Sequence, residues 1–192
     1  VRRAAVVAKP GGVGVETVLK AWLKYEQQQL PPFFLIADPA HVTEMAKAVH
    51  DAPPVVEIDE PEQVARAIRR GLPVMPLRLS APVRPGHPSP ENAPHVIEAI
   101  DRAVAYARIG AVCGLATAPI QKSALYAIGF GFPGHTEYLA HLCGSREEPV
   151  MLLSSPGLRA VPVTIHTALK DALSLLTEDL IVRQCEITAQ AL

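Results

Sequence analysis

Neither sign of charge dominates this 192-residue sequence: 18 Lys and Arg stand against 19 Asp and Glu, and basic residues pair only at Arg2-Arg3 and Arg69-Arg70. A polyanion finds no electrostatic footprint here, so nucleic acid is not an expected partner. Long apolar runs are also missing. No stretch reaches the roughly eighteen apolar residues of a membrane span, and the opening Val1-Arg2-Arg3-Ala4-Ala5-Val6-Val7 is too short for a secretory signal. The expectation is a cytoplasmic chain with no membrane partner. Cysteine is scarce: Cys113, Cys143 and Cys185 are odd in number, widely spaced and set in apolar or helical surroundings, which suits reduced thiols packed in the core better than a disulfide frame or a zinc knuckle. With 49% hydrophobic and 19% charged residues the chain is not disordered, and its length suits one domain or one and a fraction.

What the sequence does contain is alternation. Ala4 to Ala8 reads as a strand, Pro10-Gly11-Gly12 as a turn, and Glu16 through Trp22 to Gln28 as a helix. Phe33-Phe34-Leu35-Ile36-Ala37 reads as a second, buried strand, Asp38-Pro39 opens another helix with proline at its first position, and Val55 to Ile58 resembles a third strand. Prolines at 73, 76, 82, 85, 88, 90 and 94 remove backbone donors between residues 72 and 94, so this stretch is expected to be a connector with one edge strand near Val74 to Leu79. From Glu91 on, Val96, Ile97, Ile100, Val104 and Ala107 recur at helical spacing, and residues 111–118 read as a buried strand. Residues 150–154 and 160–165 predict two further strands, the second interrupted by Pro162, and Thr177 to Leu192 a closing amphipathic helix. A doubly wound α/β fold follows, with its ligand end at the carboxyl ends of the strands.

Three places invite chemistry. Gly11, Gly12 and Gly14 approach a dinucleotide fingerprint, but Thr17 stands where the third glycine belongs and no Lys-Ser or Lys-Thr follows. Spacing alone favours a tight strand-to-helix turn. His135 and Thr136 stand at the start of a helix, where free amides suit an anionic ligand; a threonine cap beside an incidental histidine is the other reading. His166, just past an apolar strand, could offer an imidazole to a metal, but one histidine is no site. His41, His50, His87 and His95 read as solvated or satisfied residues with no role.

Several stretches together resemble the 4-hydroxythreonine-4-phosphate dehydrogenase family of pyridoxal phosphate biosynthesis: Pro94-His95-Val96-Ile97-Glu98-Ala99-Ile100, Thr117-Ala118-Pro119-Ile120-Gln121-Lys122, Phe132-Pro133-Gly134-His135-Thr136-Glu137-Tyr138-Leu139 and Val163-Thr164-Ile165-His166. The likeness is densest from about Asn92 to Thr177. It extends to Lys9-Pro10-Gly11-Gly12-Val13-Gly14-Val15-Glu16, opposite the family's acidic-Pro-Ala-Gly-Ile-Gly-Pro-acidic motif. Lys9 stands where the family has an acid, Val15 replaces a proline, and Gln121 replaces the histidine of many relatives.

The resemblance implies an α/β fold similar to the isocitrate and isopropylmalate dehydrogenases, incomplete at the C-terminus, with residues 1–118 as a first domain carrying the connector near 72–94 and residues 119–192 as the start of a second. It implies a homodimer using NAD or NADP and a divalent zinc, magnesium or cobalt ion. Here His135 and Thr136 match the substrate-binding pair, His166 the first of three metal histidines, and Lys122 a phosphate or substrate contact. The other two histidines belong to sequence beyond Leu192, so this chain alone is not expected to complete the metal site. The implied reaction oxidises 4-phosphooxy-threonine, a phosphorylated hydroxy amino acid, to 2-amino-3-oxo-4-phosphooxybutanoate, which loses carbon dioxide to give 3-amino-2-oxopropyl phosphate. The alternatives are a non-catalytic remnant or binding module of the same family, and a dehydrogenase of another phosphorylated hydroxy acid or of a dihydrodiol.

Overall fold

The computed structural model describes residues 3–84, 86, 87, 89–119, 125–132, 134–145, 148–165 and 167–192. The chain divides into two compact units, Val1–His135 and Thr136–Leu192.

In the first unit, β1 (Ala4–Val7), β2 (Phe33–Ala37), β3 (Val55–Glu57), β4 (Leu72–Pro76) and β5 (Gly114–Thr117) form one parallel sheet in the order β3-β4-β2-β1-β5. Alternate residues of the central strands face opposite layers, as the pleat demands. Phe33, Leu35, Ala37, Leu72 and Val74 pack with Val15, Val18 and Leu19 of α1 (Gly14–Leu23) and Val42 of α2 (Pro39–Ala46). On the other face, Tyr106 of α4 (Ala93–Arg108) meets Phe34 edge-on and directs its hydroxyl to the sulfur of Met75 at 2.9 Å. Every residue of β2 is buried because helices cover both sides, which is why its run is apolar without alternation. A one-turn helix, α3 (Val64–Ala67), joins β3 to β4.

Several expectations are corrected. The helix predicted to reach Gln28 ends at Leu23 and passes into turns, with Gln29 at φ 51°; the glutamines bring no apolar side chain that would hold a further turn against the core. The connector's strand is interior, not an edge: β4 lies between β3 and β2 despite Pro73 and Pro76. Leu72 N donates to Pro54 O at 2.9 Å and Leu77 N to Ala37 O at 3.0 Å, so even-numbered amides face β3 and odd-numbered ones face β2. Pro73 therefore turns its nitrogen to β2 before the pairing of Leu35 with Val74 begins, and Pro76 turns its own to β3 after the pairing of Glu57 with Val74 ends. Each proline keeps a ladder partner on one side, Val56 for Pro73 and Ala37 for Pro76, and turns its missing donor to the side where the ladder pairing stops. The strand predicted as buried over 111–118 is four residues long, borders the described sheet and is half-exposed.

The second unit contains α5 (His135–Cys143, whose first residue belongs to the first unit), β6 (Leu153–Ser155), β7 (Leu158–Ala160), α6 (Leu169–Leu175) and α7 (Glu178–Ala191), the last capped by Thr177 Oγ1 accepting from Leu180 N at 3.2 Å. The strands predicted at 150–154 and 160–165 are instead one short antiparallel hairpin, Leu153–Ser155 with Leu158–Ala160, exposed throughout; residues 161–165 are not strand. Tyr138 is the one buried residue among those described in this unit, and so little burial cannot sustain longer strands. The cysteines are free, as expected, but all three are exposed rather than packed in the core.

Candidate active site

The crossover after β1 runs to β2, while the crossover through α4 carries the chain from β4 to β5 on the other flank of β1. The carboxyl ends of β1 and β5 therefore bound the crevice where open α/β sheets hold ligands. The glycine loop after β1 is shaped by close packing. Gly11 has φ +75°, and a Cβ there would lie 3.3 Å from Val83 Cγ1 and 3.4 Å from Arg84 O. At Gly14 a Cβ would stand 2.7 Å from that of Ala118 and 3.0 Å from that of Ala8, so the start of α1 sits directly on the ends of β1 and β5. Val13 at the N-cap supplies no side-chain acceptor, which leaves the first amides of α1 uncapped by side chains at this end of the sheet.

Side chains fasten the connector that follows β4 over the same end. Asp38 caps α2 by accepting from Ala40 N at 2.8 Å and His41 N at 3.4 Å, and its second oxygen accepts from Leu79 N at 3.0 Å. Burial opposes ionisation of Asp38, but these amides and the charge of Arg78 outweigh it and hold the carboxyl below its usual range. Asn92, buried, accepts from Ala81 N at 3.0 Å and donates to Ala81 O at 2.9 Å, and Arg102 donates to Pro76 O at 3.1 Å. Asp38, His41 and His95 line a cavity of about 20 Å³ with Ala8, Pro10 and Leu79, room for about one water. His95 places Nε2 3.3 Å from Ser80 Oγ, while its Nδ1 is buried without a hydrogen-bond partner among the described residues. Neither His41 nor His95 is thus simply a solvated or satisfied residue.

Sequence reasoning did not find this clasp. Asp38-Pro39 signalled a helix start, but nothing local marks the reach from Asp38 to Leu79 or from Asn92 to Ala81.

Of the residues singled out by sequence, His135 opens α5 and Thr136 follows it, exposed to solvent. His135 Nε2 is buried and has no partner among the described residues, and burial pushes the imidazole below its ordinary pKa. It is therefore neutral at pH 7, and its Nε2 can donate or accept one hydrogen bond according to the tautomer. Lys122, Gln121 and His166 lie outside the described residues. Among the described residues no three His, Cys, Asp or Glu side chains are placed to hold a metal ion.

A pH dependence follows from His135 and His41, both depressed chiefly by burial, His41 with partial relief from Asp38. The unfolded chain, with histidines near 6.5, binds more protons than the folded one between the folded values and 6.5. The contribution of these two histidines to stability is therefore constant well above pH 6.5 and declines as pH falls below it. Thermal melts from pH 8 to pH 5 check this. The joint change His41→Gln and His135→Gln should flatten the acid limb, and an unchanged limb would refute the assignment.

Compared with known proteins, the profile of the family described as pyridoxal phosphate biosynthetic protein PdxA matches residues 29–192. The chain is 42% identical over 188 residues to the 4-hydroxythreonine-4-phosphate dehydrogenase of Caulobacter vibrioides, covering 95% of this chain and 55% of that protein. With the enzyme of the same name from Zymomonas mobilis it shares 35% over 190 residues, 98% of this chain and 55% of the relative. The crystal structure of a 4-hydroxythreonine-4-phosphate dehydrogenase from Burkholderia phymatum superposes with a TM-score of 0.85 at 29% identity, over 97% of this chain and 56% of that one. The chain spans about half the length of the curated relatives it matches. A match that runs through most of the chain and takes in both the connector clasp and the Gly-His-Thr-Glu helix start shows that the chain belongs to the PdxA family.

Proposed function

We propose that this protein serves as the N-terminal part of a nicotinamide-dependent dehydrogenase acting on 4-phosphooxy-threonine in pyridoxal phosphate biosynthesis, in the cytoplasm. Membership of a family whose relatives are dehydrogenases by name is the observation that carries this reading. No helix among the described residues is long and apolar enough to cross a membrane, in keeping with a substrate and product that are small and charged.

The chemistry assigns work to the residues. His135, neutral and with its buried Nε2 without a partner among the described residues, holds a polar group of the substrate, and the exposed Thr136 hydroxyl adds a second hydrogen bond beside it. Lys122 pairs with the phosphate by resemblance. The uncapped start of α1 would suit an anionic cofactor, NAD or NADP, whose nicotinamide would supply the hydride acceptor for oxidation of the carbinol. The resulting β-keto acid breaks its bond to the carboxylate and releases carbon dioxide. The described donors do not by themselves form a set for zinc, magnesium or cobalt, and His166 keeps the ligand role that the resemblance gives it.

Self-association as a homodimer fits the second unit, which exposes Leu158 at 65%, Leu169 at 84% and Leu173 at 79%. The reaction itself is tested by joining this chain to the rest of the Caulobacter relative and following NAD reduction with 4-phosphooxy-threonine and added divalent metal. Turnover that chelation abolishes is expected. A folded, metal-loaded chimera that reduces no NAD would overturn the reading.

A further inference from the structure

Between Glu62 and Glu91 the chain has no acidic residue at all, yet it carries Arg66, Arg69, Arg70, Arg78, Arg84 and His87. The last three belong to the connector that folds over the carboxyl end of the sheet. Arg84 and His87 close a tight turn through an isolated bridge, with His87 N donating to Arg84 O at 3.0 Å. Gly86 N donates to Gly11 O at 3.0 Å, and Arg84 O lies 3.4 Å from where a Gly11 Cβ would stand. The turn is thereby pinned to the glycine loop that follows β1. Arg84 itself is exposed, and its guanidinium has no hydrogen-bond or ion-pair partner among the described residues. Nearby, Arg78 acts on Asp38, whose carboxylate is already engaged by three amides and is not available to neutralise a second arginine.

We propose that Arg84 is a phosphate-binding residue, held by the Arg84–His87 turn at the ligand end of the sheet and engaging a phosphate of the substrate or of the dinucleotide. This rests on the dehydrogenase reading above for the identity of the ligand, not for the existence of the anion site. The geometry supports it in two ways. A turn fastened at Gly11 holds the Arg84 backbone beside the glycine loop at the carboxyl end of β1, where an open α/β sheet takes its ligand, so little backbone freedom is lost on binding. A guanidinium in a segment without acids retains its full affinity for a phosphate, which it can grip with two parallel N–H donors.

The test is equilibrium binding to the 192-residue chain at low ionic strength, by calorimetry, with four probes: inorganic pyrophosphate, NAD, NADP and 4-phosphooxy-threonine. Arg84→Gln is compared with Arg69→Gln, which removes the same charge at the opposite, amino end of β4. Arg84→Gln should weaken at least one probe about tenfold, the scale of a lost charge-assisted hydrogen bond, and Arg69→Gln should change none by more than about twofold. Arg84→Lys should recover part of the loss. A loss confined to 4-phosphooxy-threonine places Arg84 on the substrate phosphate; a loss shared by NAD and NADP places it on the pyrophosphate; a loss for NADP alone places it on the 2′-phosphate. The proposal is overturned if no probe binds the wild-type chain, or if Arg84→Gln and Arg69→Gln behave alike. Should pyrophosphate bind through Arg84 while NAD, NADP and 4-phosphooxy-threonine do not, the anion site stands and the dehydrogenase reading falls. If NAD and 4-phosphooxy-threonine bind both proteins equally, that reading stands and the Arg84 site falls.

Discussion

Gly71→Ala should destabilise the protein by about 3 kcal/mol or more, at or above the usual range for overpacking a core. A Cβ on Gly71 would stand 2.1 Å from Pro54 O and 3.0 Å from Pro54 C, and these are backbone atoms that cannot swing aside. The surroundings are bound from three directions: Leu72 N donates to Pro54 O at 2.9 Å, Gly71 N to Ala67 O at 3.2 Å, and Trp22 Nε1 to Gly71 O at 3.0 Å. Relieving the clash means separating the starts of β3 and β4 or pulling α1 from its anchor. Gly114→Ala is the matched comparison, because nothing lies within 4 Å of its Cβ position, and it should shift stability by no more than about 0.5 kcal/mol. Denaturant unfolding of both variants decides the matter: equal midpoints would show that the β3–β4 approach is looser than the geometry states.

His135→Ala should weaken binding of 4-phosphooxy-threonine by roughly 10- to 100-fold, the range of a hydrogen bond between a neutral group and a charged partner. The imidazole stands at the start of α5 with its Nε2 buried and without a partner among the described residues, so a ligand group that reaches it fills an unmet bond instead of displacing an existing one. For the same reason the folded protein loses little when the ring is removed. Thermal stability at pH 7 should hardly change, which separates a binding role from a structural one. Thr136→Ala should cost less, about three- to tenfold, because the exposed hydroxyl gives up a bond to water to make one to the ligand. Unchanged affinity in His135→Ala would remove the residue from the site.

Elements whose burial is uniform or periodic can be read from residue order alone. β2 was legible because Phe33 to Ala37 is apolar without a break and is buried on both faces. α4 was legible because Val96, Ile100 and Val104 recur on one face, and all three are buried. The family was legible in short motifs, His135-Thr136 among them, because each motif is contiguous along a single loop or helix start.

Only the tertiary structure decided the rest. Pro73 and Pro76 argued for an edge strand, and β4 is interior because each proline turns its missing donor to the side where ladder pairing stops. Apolar surroundings argued for core cysteines, and Cys113, Cys143 and Cys185 are exposed. The clasp of Asp38 on Leu79 and of Asn92 on Ala81, the pinning of the Arg84 turn to Gly11 and the unmet Nδ1 of His95 left no trace in composition or period. Period and propensity report how a residue fits its own helix or strand. Whether a donor is missed, a thiol is covered or an arginine stands beside a ligand depends on which distant backbone the fold brings against it.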